Sequence, residues 1–180
     1  MVKVLIILNH PNYENSFANR NIMKNLKTLI PDAEINHLDK EYPDEKINVK
    51  AEQEKLLKSD VVIFQFPIYW FKCPHLLAKW FEEVLVHGFA FGTNAYKLEG
   101  KKFILSFTMS GEKKEYKENY HVEGMVKPFE YSCKYVKMNF GGYVYTLDIP
   151  YNIKETPDIA KKKEEELKNH AEEVLKLINK

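Results

Sequence analysis

Residues 64–74 read Phe64-Gln-Phe-Pro-Ile-Tyr-Trp-Phe-Lys-Cys-Pro74, and the fold follows from how this stretch begins and how it breaks. It continues an apolar run that starts at Val61. Val61 to Phe66 therefore reads as a strand apolar on both faces, the pattern of a parallel sheet covered on each side. Pro67 ends the run, and Tyr69, Trp70 and Phe71 follow in a loop ahead of a helix. A buried parallel strand normally ends in a polar turn. Three consecutive aromatics there leave apolar area facing water unless something flat covers them. Ligands of open α/β sheets sit at the carboxyl ends of the strands, so a planar heteroaromatic ligand is one reading. Packing beneath the next helix or against a second subunit is the other.

Working outward, Val2 to Leu8 is another near-continuous apolar run and reads as a central parallel strand. Residues 16–30 carry Ala18, Ile22, Leu26 and Ile30 at a period near four, a helical stripe ended by Pro31. Ala33 to Leu38 reads as a short strand, 41–50 as a polar loop and Ala51 to Leu57 as a short helix. Beyond the 61–66 strand, Leu76, Leu77, Trp80, Phe81, Val84 and Leu85 form one broad helical face. Phe103 to Thr108 is the fourth strand, and 110–121 is a loop rich in charge and tyrosine. A helix runs from there to about Tyr135, Tyr143 to Leu147 is the fifth strand, and Pro157 opens a helix to Lys180.

Strand and helix alternate throughout, which predicts an α/β fold with all 180 residues in a single domain. The expected architecture is a doubly wound, five-stranded parallel sheet of order 2-1-3-4-5 with helices on both faces. In that order the chain reverses direction between strands 1 and 3, which opens a crevice at their carboxyl ends. The loops Asn9–Asn15, Pro67–Cys73 and Thr108–His121 should meet there.

Composition narrows the function. Lysine and arginine total 27 against 26 acidic residues, a formal net charge of +1, so nucleic acid is not an expected partner. The Lys-Lys-Lys-Glu-Glu-Glu run at 161–166 reads as a solvated helix face. No apolar stretch approaches the roughly 20 residues needed to cross a bilayer, and the N-terminus lacks signal-peptide character. Cys73 and Cys133 lie far apart without metal-ligand spacing. They read as reduced thiols of a cytoplasmic protein, with Cys73 a spectator in its loop.

His10-Pro11 and Asn15-Ser16-Phe17-Ala18 put polar side chains and unpaired amides at the start of the first helix, a phosphate-binding arrangement. Asn15 or Ser16 is equally suited to be an ordinary N-cap. No Walker A motif or Gly-x-Gly-x-x-Gly is present, so neither ATP nor a Rossmann-bound dinucleotide is indicated. Thr108-Met109-Ser110-Gly111 closes strand 4 with a turn whose amides could approach the edge of a ring. Tyr116, Tyr120 and His121 supply hydrogen-bond or proton donors. The six histidines show no metal-ligand spacing, so no metal is expected.

The chain resembles the NAD(P)H:quinone oxidoreductase family of flavodoxin-like flavoproteins, chiefly its compact bacterial members, the general NAD(P)H oxidoreductases or modulators of drug activity. The resemblance rests on His10-Pro with Asn15-Ser-Phe, Glu41-Tyr-Pro-Asp, Phe64-Gln-Phe-Pro-Ile-Tyr-Trp-Phe with Pro74, Leu77-x-Lys-Trp, His87-Gly-Phe-Ala-Phe-Gly and Lys127-Pro-Phe-Glu. It implies two-electron, ping-pong reduction of quinones and similar electrophiles by NADH or NADPH through a bound flavin, FMN or FAD, with FMN favoured by the short chain. By position it implies that His10, Asn15, Ser16, Phe17 and Ala18 hold the flavin phosphate and ribityl chain. Pro67, Ile68, Tyr69, Trp70 and Phe71 flank the isoalloxazine, and Thr108, Met109, Ser110 and Gly111 contact its polar edge. Met109 and Ser110 depart from the family's usual Thr-Thr-Gly-Gly. Tyr116, with His121 or Tyr120, is implied as the donor to the acceptor. A flavodoxin-type electron carrier and a regulatory flavoprotein subunit of a potassium efflux transporter are the alternatives. A homodimer is also expected: Phe89 and Phe91, in a glycine-flanked loop, would be exposed in a lone chain, and the resemblance puts them in the other subunit's acceptor pocket.

Overall fold

Uninterrupted apolar strands need cover on both faces, and the chain supplies it with helices. The structure, a computed structural model, describes residues 2–150 and 152–180. Five strands, β1 (Val4–Leu8), β2 (Glu34–His37), β3 (Val61–Pro67), β4 (Lys102–Thr108) and β5 (Asn139–Thr146), form one all-parallel sheet of order β2-β1-β3-β4-β5. Every residue of β1 and β3 is buried. Helices α1 (Phe17–Leu29) and α7 (Pro157–Asn179) cover one face, their Ile22, Leu26, Leu167 and Val174 packing on Val4, Ile6, Ile63 and Ile104. Helices α3 (Val49–Lys58), α4 (His75–Val84) and α6 (Val122–Tyr135) lie on the other, where Phe64 stacks on Phe103 and meets Trp80 edge to face. The expected fold class and strand order are both met.

Several boundaries differ from the sequence reading. Residues Leu38–Glu41 form a helical turn, α2, inside what read as the end of strand 2 and a polar loop. Strand β5 starts at Asn139, not Tyr143, because a register irregularity beside Phe103 and Ile104 absorbs Gly141, and the glycine pair hid the strand pattern. Helix α4 stops at Val84, and the tyrosine-rich loop holds a short helix, α5 (Lys113–Glu118). Lys163 is a correction to the solvated-face reading of 161–166. It is buried, with its Nζ 3.3 Å from the Leu147 carbonyl and 2.8 Å from Glu166, and so it holds the segment after β5.

One buried carboxylate fixes the β2 side of the crevice. Glu52 of α3 accepts hydrogen bonds from Trp80 Nε1 (2.7 Å), Tyr42 Oη (2.7 Å), Lys55 Nζ (2.7 Å) and Asn36 Nδ2. The contact pushes the Tyr42 hydroxyl, chiefly by burial and then by the carboxylate, above its ordinary range. Tyr42 caps α2, whose Asp39 in turn holds the loop after β1, accepting from the His10 amide (2.7 Å) and Asn9 Nδ2 (2.9 Å).

Candidate active site

The loops after β1, β3 and β4 converge as the topology requires, around a cavity of about 370 Å³. Its wall includes His10, Asn15, Ser16, Phe17 and Ala18 from the first loop, Pro67, Ile68 and Tyr69 from the second, and Thr108, Met109 and Ser110 from the third. Ser16 is the N-cap of α1, its Oγ accepting from the Asn19 amide at 3.2 Å. Helix geometry leaves the amides of Phe17 and Ala18 without internal partners, and the macrodipole adds positive potential there. His10 Nδ1 accepts from the Asn12 amide at 3.1 Å, so in the neutral ring Nε2 carries the hydrogen. Burial holds this histidine below its ordinary pKa, against the raising effect of Asp39. The wall is therefore rich in neutral donors, a set suited to an anionic oxygen group.

The aromatic loop is built differently from its sequence reading. Tyr69 and Lys72 exchange backbone hydrogen bonds (2.9 and 3.0 Å), which closes a tight turn with Trp70 and Phe71 at its centre. Both central residues have left-handed backbone, φ +49° and +62°, as a type I′ turn demands and as aromatic side chains rarely accept. Trp70 is 90% exposed and Phe71 45%, and neither lines the cavity. Phe71 instead stacks beside Tyr120, ring centres 5.0 Å apart, and Tyr120 lies 5.7 Å from Tyr116.

Tyr116 and His121 line a second cavity of about 330 Å³ with Lys113, Val122, Glu123, Tyr145 and Leu147. The Asp148 amide donates to the Gly111 carbonyl (3.0 Å), tying together the two segments that run between the cavities. Gly111 touches the Tyr116 ring so closely that a Cβ there would sit 2.5 Å from Cε2. Burial, then Glu115 and Tyr120, raise the Tyr116 hydroxyl pKa, so it is a protonated donor at neutral pH. Cys73 is half-buried, its thiol pushed up to about 11 by burial. That excludes a thiolate role at neutral pH.

Phe89 and Phe91 need correction. Phe89 is only 8% exposed, packed in its own core with Ala90 and Leu98, and Phe91 is half-buried against Tyr135 (5.2 Å) and His87 (5.7 Å). A lone chain does not leave both rings in water, because the loop folds back beside α6. Sequence reading also missed Asn19, Ile149, Pro150 and Ile153 in the first cavity wall. Asn19 leads to a buried polar chain through Gln65, Ser106 and His170. The available signal was Gln65 and Ser106, two polar residues inside otherwise apolar strands, which the register pairs side by side.

A family model described as the flavodoxin-like fold matches residues 2–172. The chain belongs to this flavodoxin-like family. YrkL of Bacillus subtilis, named as an uncharacterized NAD(P)H oxidoreductase, is 36% identical over 143 residues, 77% of this chain and 82% of that protein. The glutathione-regulated potassium-efflux system ancillary protein KefG of Cronobacter sakazakii is 34% identical over 142 residues, 77% of each chain. Among solved structures, general stress protein 14 of Treponema denticola in complex with FMN superposes with a TM-score of 0.84 at 29% identity, covering 98% of both chains. The resemblance to NAD(P)H oxidoreductases within the flavodoxin-like fold stands.

Proposed function

We propose that this chain is an FMN-dependent NAD(P)H oxidoreductase that reduces quinones and similar electrophiles by two electrons. The observation that carries this reading is the juxtaposition, at the carboxyl end of the sheet, of an uncharged, donor-rich cradle and a tyrosine-lined cavity. The residues fit the flavin. The α1 amides, Ser16 and the neutral His10 suit its phosphate, and Pro67, Ile68 and Tyr69 offer a flat apolar wall beside it. The T. denticola relative's FMN and the NAD(P)H oxidoreductase name of YrkL support the same cofactor and donor. A depression continuing past Ser16 is lined by His10, Asn12, Asn15, Tyr69, Asn152 and Glu155. That described lining has no lysine or arginine to meet a second phosphate, and Glu155 opposes one, which favours FMN over FAD.

Bound flavin supplies the chemistry of taking hydride from a nicotinamide and delivering it to an acceptor. The chain's own residues position and protonate. Tyr116, with His121 and Tyr120 beside it, is placed to hydrogen-bond an acceptor oxygen and give it a proton, a role worth roughly 10²–10⁴-fold. Donor and acceptor sharing one pocket give ping-pong kinetics. A homodimer is part of the proposal. Tyr131 and Tyr135 stand exposed one turn apart on α6 beside Phe91, an apolar patch suited to a twofold contact.

The test is the absorption spectrum and flavin content of purified protein, followed by NADH and NADPH oxidation with a quinone present. One FMN per chain, bleached by nicotinamide and reoxidised by quinone in parallel-line kinetics, is expected. Protein that neither retains nor binds FMN sinks the proposal. Tyr116→Phe with His121→Ala should lower quinone turnover at least 100-fold while leaving the flavin spectrum unchanged. Full turnover in that double variant removes the donor roles. The identity to KefG favours a second reading, an ancillary subunit of a potassium efflux system, which co-purification with such a transporter would support.

A further inference from the structure

A line of buried polar side chains crosses the α1/α7 face of the sheet, amid the apolar side chains of Ile22, Leu26, Ile63, Ile104, Leu167 and Val174. Thr146 Oγ1 lies 2.8 Å from His170 Nδ1, and His170 Nε2 lies 2.7 Å from Ser106 Oγ. Ser106 Oγ donates to Gln65 Oε1, and Gln65 Nε2 donates to Asn19 Oδ1 at 2.7 Å. Asn19 Nδ2 then donates to both Thr108 Oγ1 (3.0 Å) and Ser16 Oγ (3.2 Å), at the wall of the first cavity. All the linking side chains from Asn19 to His170 are buried.

The direction of this chain follows from donor arithmetic. Ser106 has one hydroxyl hydrogen and gives it to Gln65, so it must accept from His170 Nε2–H. His170 is buried and neutral, its pKa pushed down to about 3 by burial, so Nδ1 carries no hydrogen and accepts from Thr146. At the other end, Ser16 Oγ already accepts from the Asn19 amide and from Asn19 Nδ2. Both its lone pairs are engaged, and its own hydrogen is free to be donated.

With the ring neutral, only one other arrangement satisfies the same atoms. Moving the His170 hydrogen to Nδ1 turns Ser106 toward the ring and flips Gln65. Asn19 must then flip too, because otherwise two carbonyl oxygens would meet. Asn19 Oδ1 would now face Ser16 and Thr108 and draw their hydrogens inward. The chain is all-or-none.

We propose that His170 is a positioning residue for phosphate binding: the hydrogen on its Nε2 sets the direction of a hydrogen-bond chain that leaves the Ser16 and Thr108 hydroxyls as donors to the cavity. This rests on the FMN reading of the site, with the FMN phosphate at Ser16. An acceptor-only anion selects the arrangement seen here, and His170, on the far helix, supplies it ready-made.

Two measurements test it. In protein with ¹⁵N-labelled histidine, His170 being assigned from the missing signals of His170→Gln, the ring should carry its hydrogen on Nε2. Apoprotein affinities for FMN and riboflavin are then compared in wild type and Ser106→Ala, which cuts the chain without touching the cavity wall. The variant should lose FMN affinity by at least the roughly 2-fold that an even mixture of the two arrangements imposes, and little for riboflavin, which has no phosphate. A structural loosening would weaken both alike. If wild type binds FMN but His170 carries its hydrogen on Nδ1, or the FMN-to-riboflavin affinity ratio is unchanged in the variant, the proposal is overturned and the flavoprotein reading survives. If wild type does not bind FMN, the flavoprotein reading fails; the relay then stands or falls on the tautomer alone, measured with and without inorganic phosphate.

Discussion

At the residue scale the sharpest feature is the turn at Trp70 and Phe71. Each pays roughly 1–2 kcal/mol for left-handed backbone, yet neither is buried enough to recover that from its own core. The strain therefore serves the loop's outer surface, where Phe71 meets Tyr120. Replacing the pair by Asn-Gly, which suits a type I′ turn, should raise the unfolding free energy by about 1–3 kcal/mol while lowering quinone turnover. Denaturant melts and steady-state rates on the same preparation check both halves; a variant gaining stability with full activity would show the aromatics to be dispensable. Gly111 makes a second case. A Cβ there would collide with Tyr116, so Gly111→Ala should displace the ring. The expected result is a rate loss approaching that of Tyr116→Phe, with an unaltered melting midpoint.

At the scale of elements, Glu52 shows how a remote helix sets the site. Its carboxylate holds Asn36, Tyr42, Lys55 and Trp80 together, joining β2, α2, α3 and α4. Through Asp39 on α2, the loop carrying His10 depends on it. Glu52→Ala strands several buried donors and should cost about 3–5 kcal/mol, read as a lower denaturation midpoint; a loss below 1 kcal/mol would mean that water replaces the carboxylate. Little in the sequence around Glu52 marks it, since all its partners but Lys55 come from three other segments. That is the general boundary of what was legible here. β1, β3 and β4 could be read because burial on both faces writes a nearly continuous apolar run, and the strand order then brought the three loops together. β5 was half-hidden because Gly141 and Gly142 carry no pattern, and α2 because four residues are too few for a helical period. The cavity wall was legible where residues lie at a strand end, as His10, Pro67 and Thr108 do, or at a helix start, as Ser16 does. It was not legible for Asn19, nor was the chain of Gln65, Ser106 and His170 behind it, whose meaning lies in contacts spanning the sheet. Phe89 misled because a glycine-flanked aromatic looks exposed when the only evidence is local.

At the scale of the whole molecule, three histidines are held below their ordinary pKa by burial: His170 most strongly, down to about 3, with His10 and His37 shifted the same way. Below pH 6.5 the unfolded chain takes up protons on these rings that the folded chain refuses. The unfolded state then binds more protons, so stability rises with pH across this window. The contribution is complete above about pH 6.5 and is lost progressively as pH falls toward 3, His170 alone contributing a slope of up to about 1.4 kcal/mol per pH unit. Against the opposing effect of burial, Lys163 holds the Glu166 carboxyl below its ordinary range, which adds a loss of the same sign below about pH 4.5. Chemical denaturation of apoprotein at pH 7.5, 6.0, 5.0 and 4.0 should show this decline, and His170→Gln should flatten it between pH 6 and 4 even though it lowers stability at neutral pH. An equally steep decline in that variant would place the acid sensitivity elsewhere. The same titration bears on the relay. If His170 holds the chain in its donor arrangement, the difference in FMN affinity between wild type and Ser106→Ala should stay constant across the range in which the ring remains neutral and the fold intact. The phosphate's own ionisation, at about pH 6, and that of His10 act on both proteins alike. A difference that closes while the ring is still neutral would detach the relay from His170.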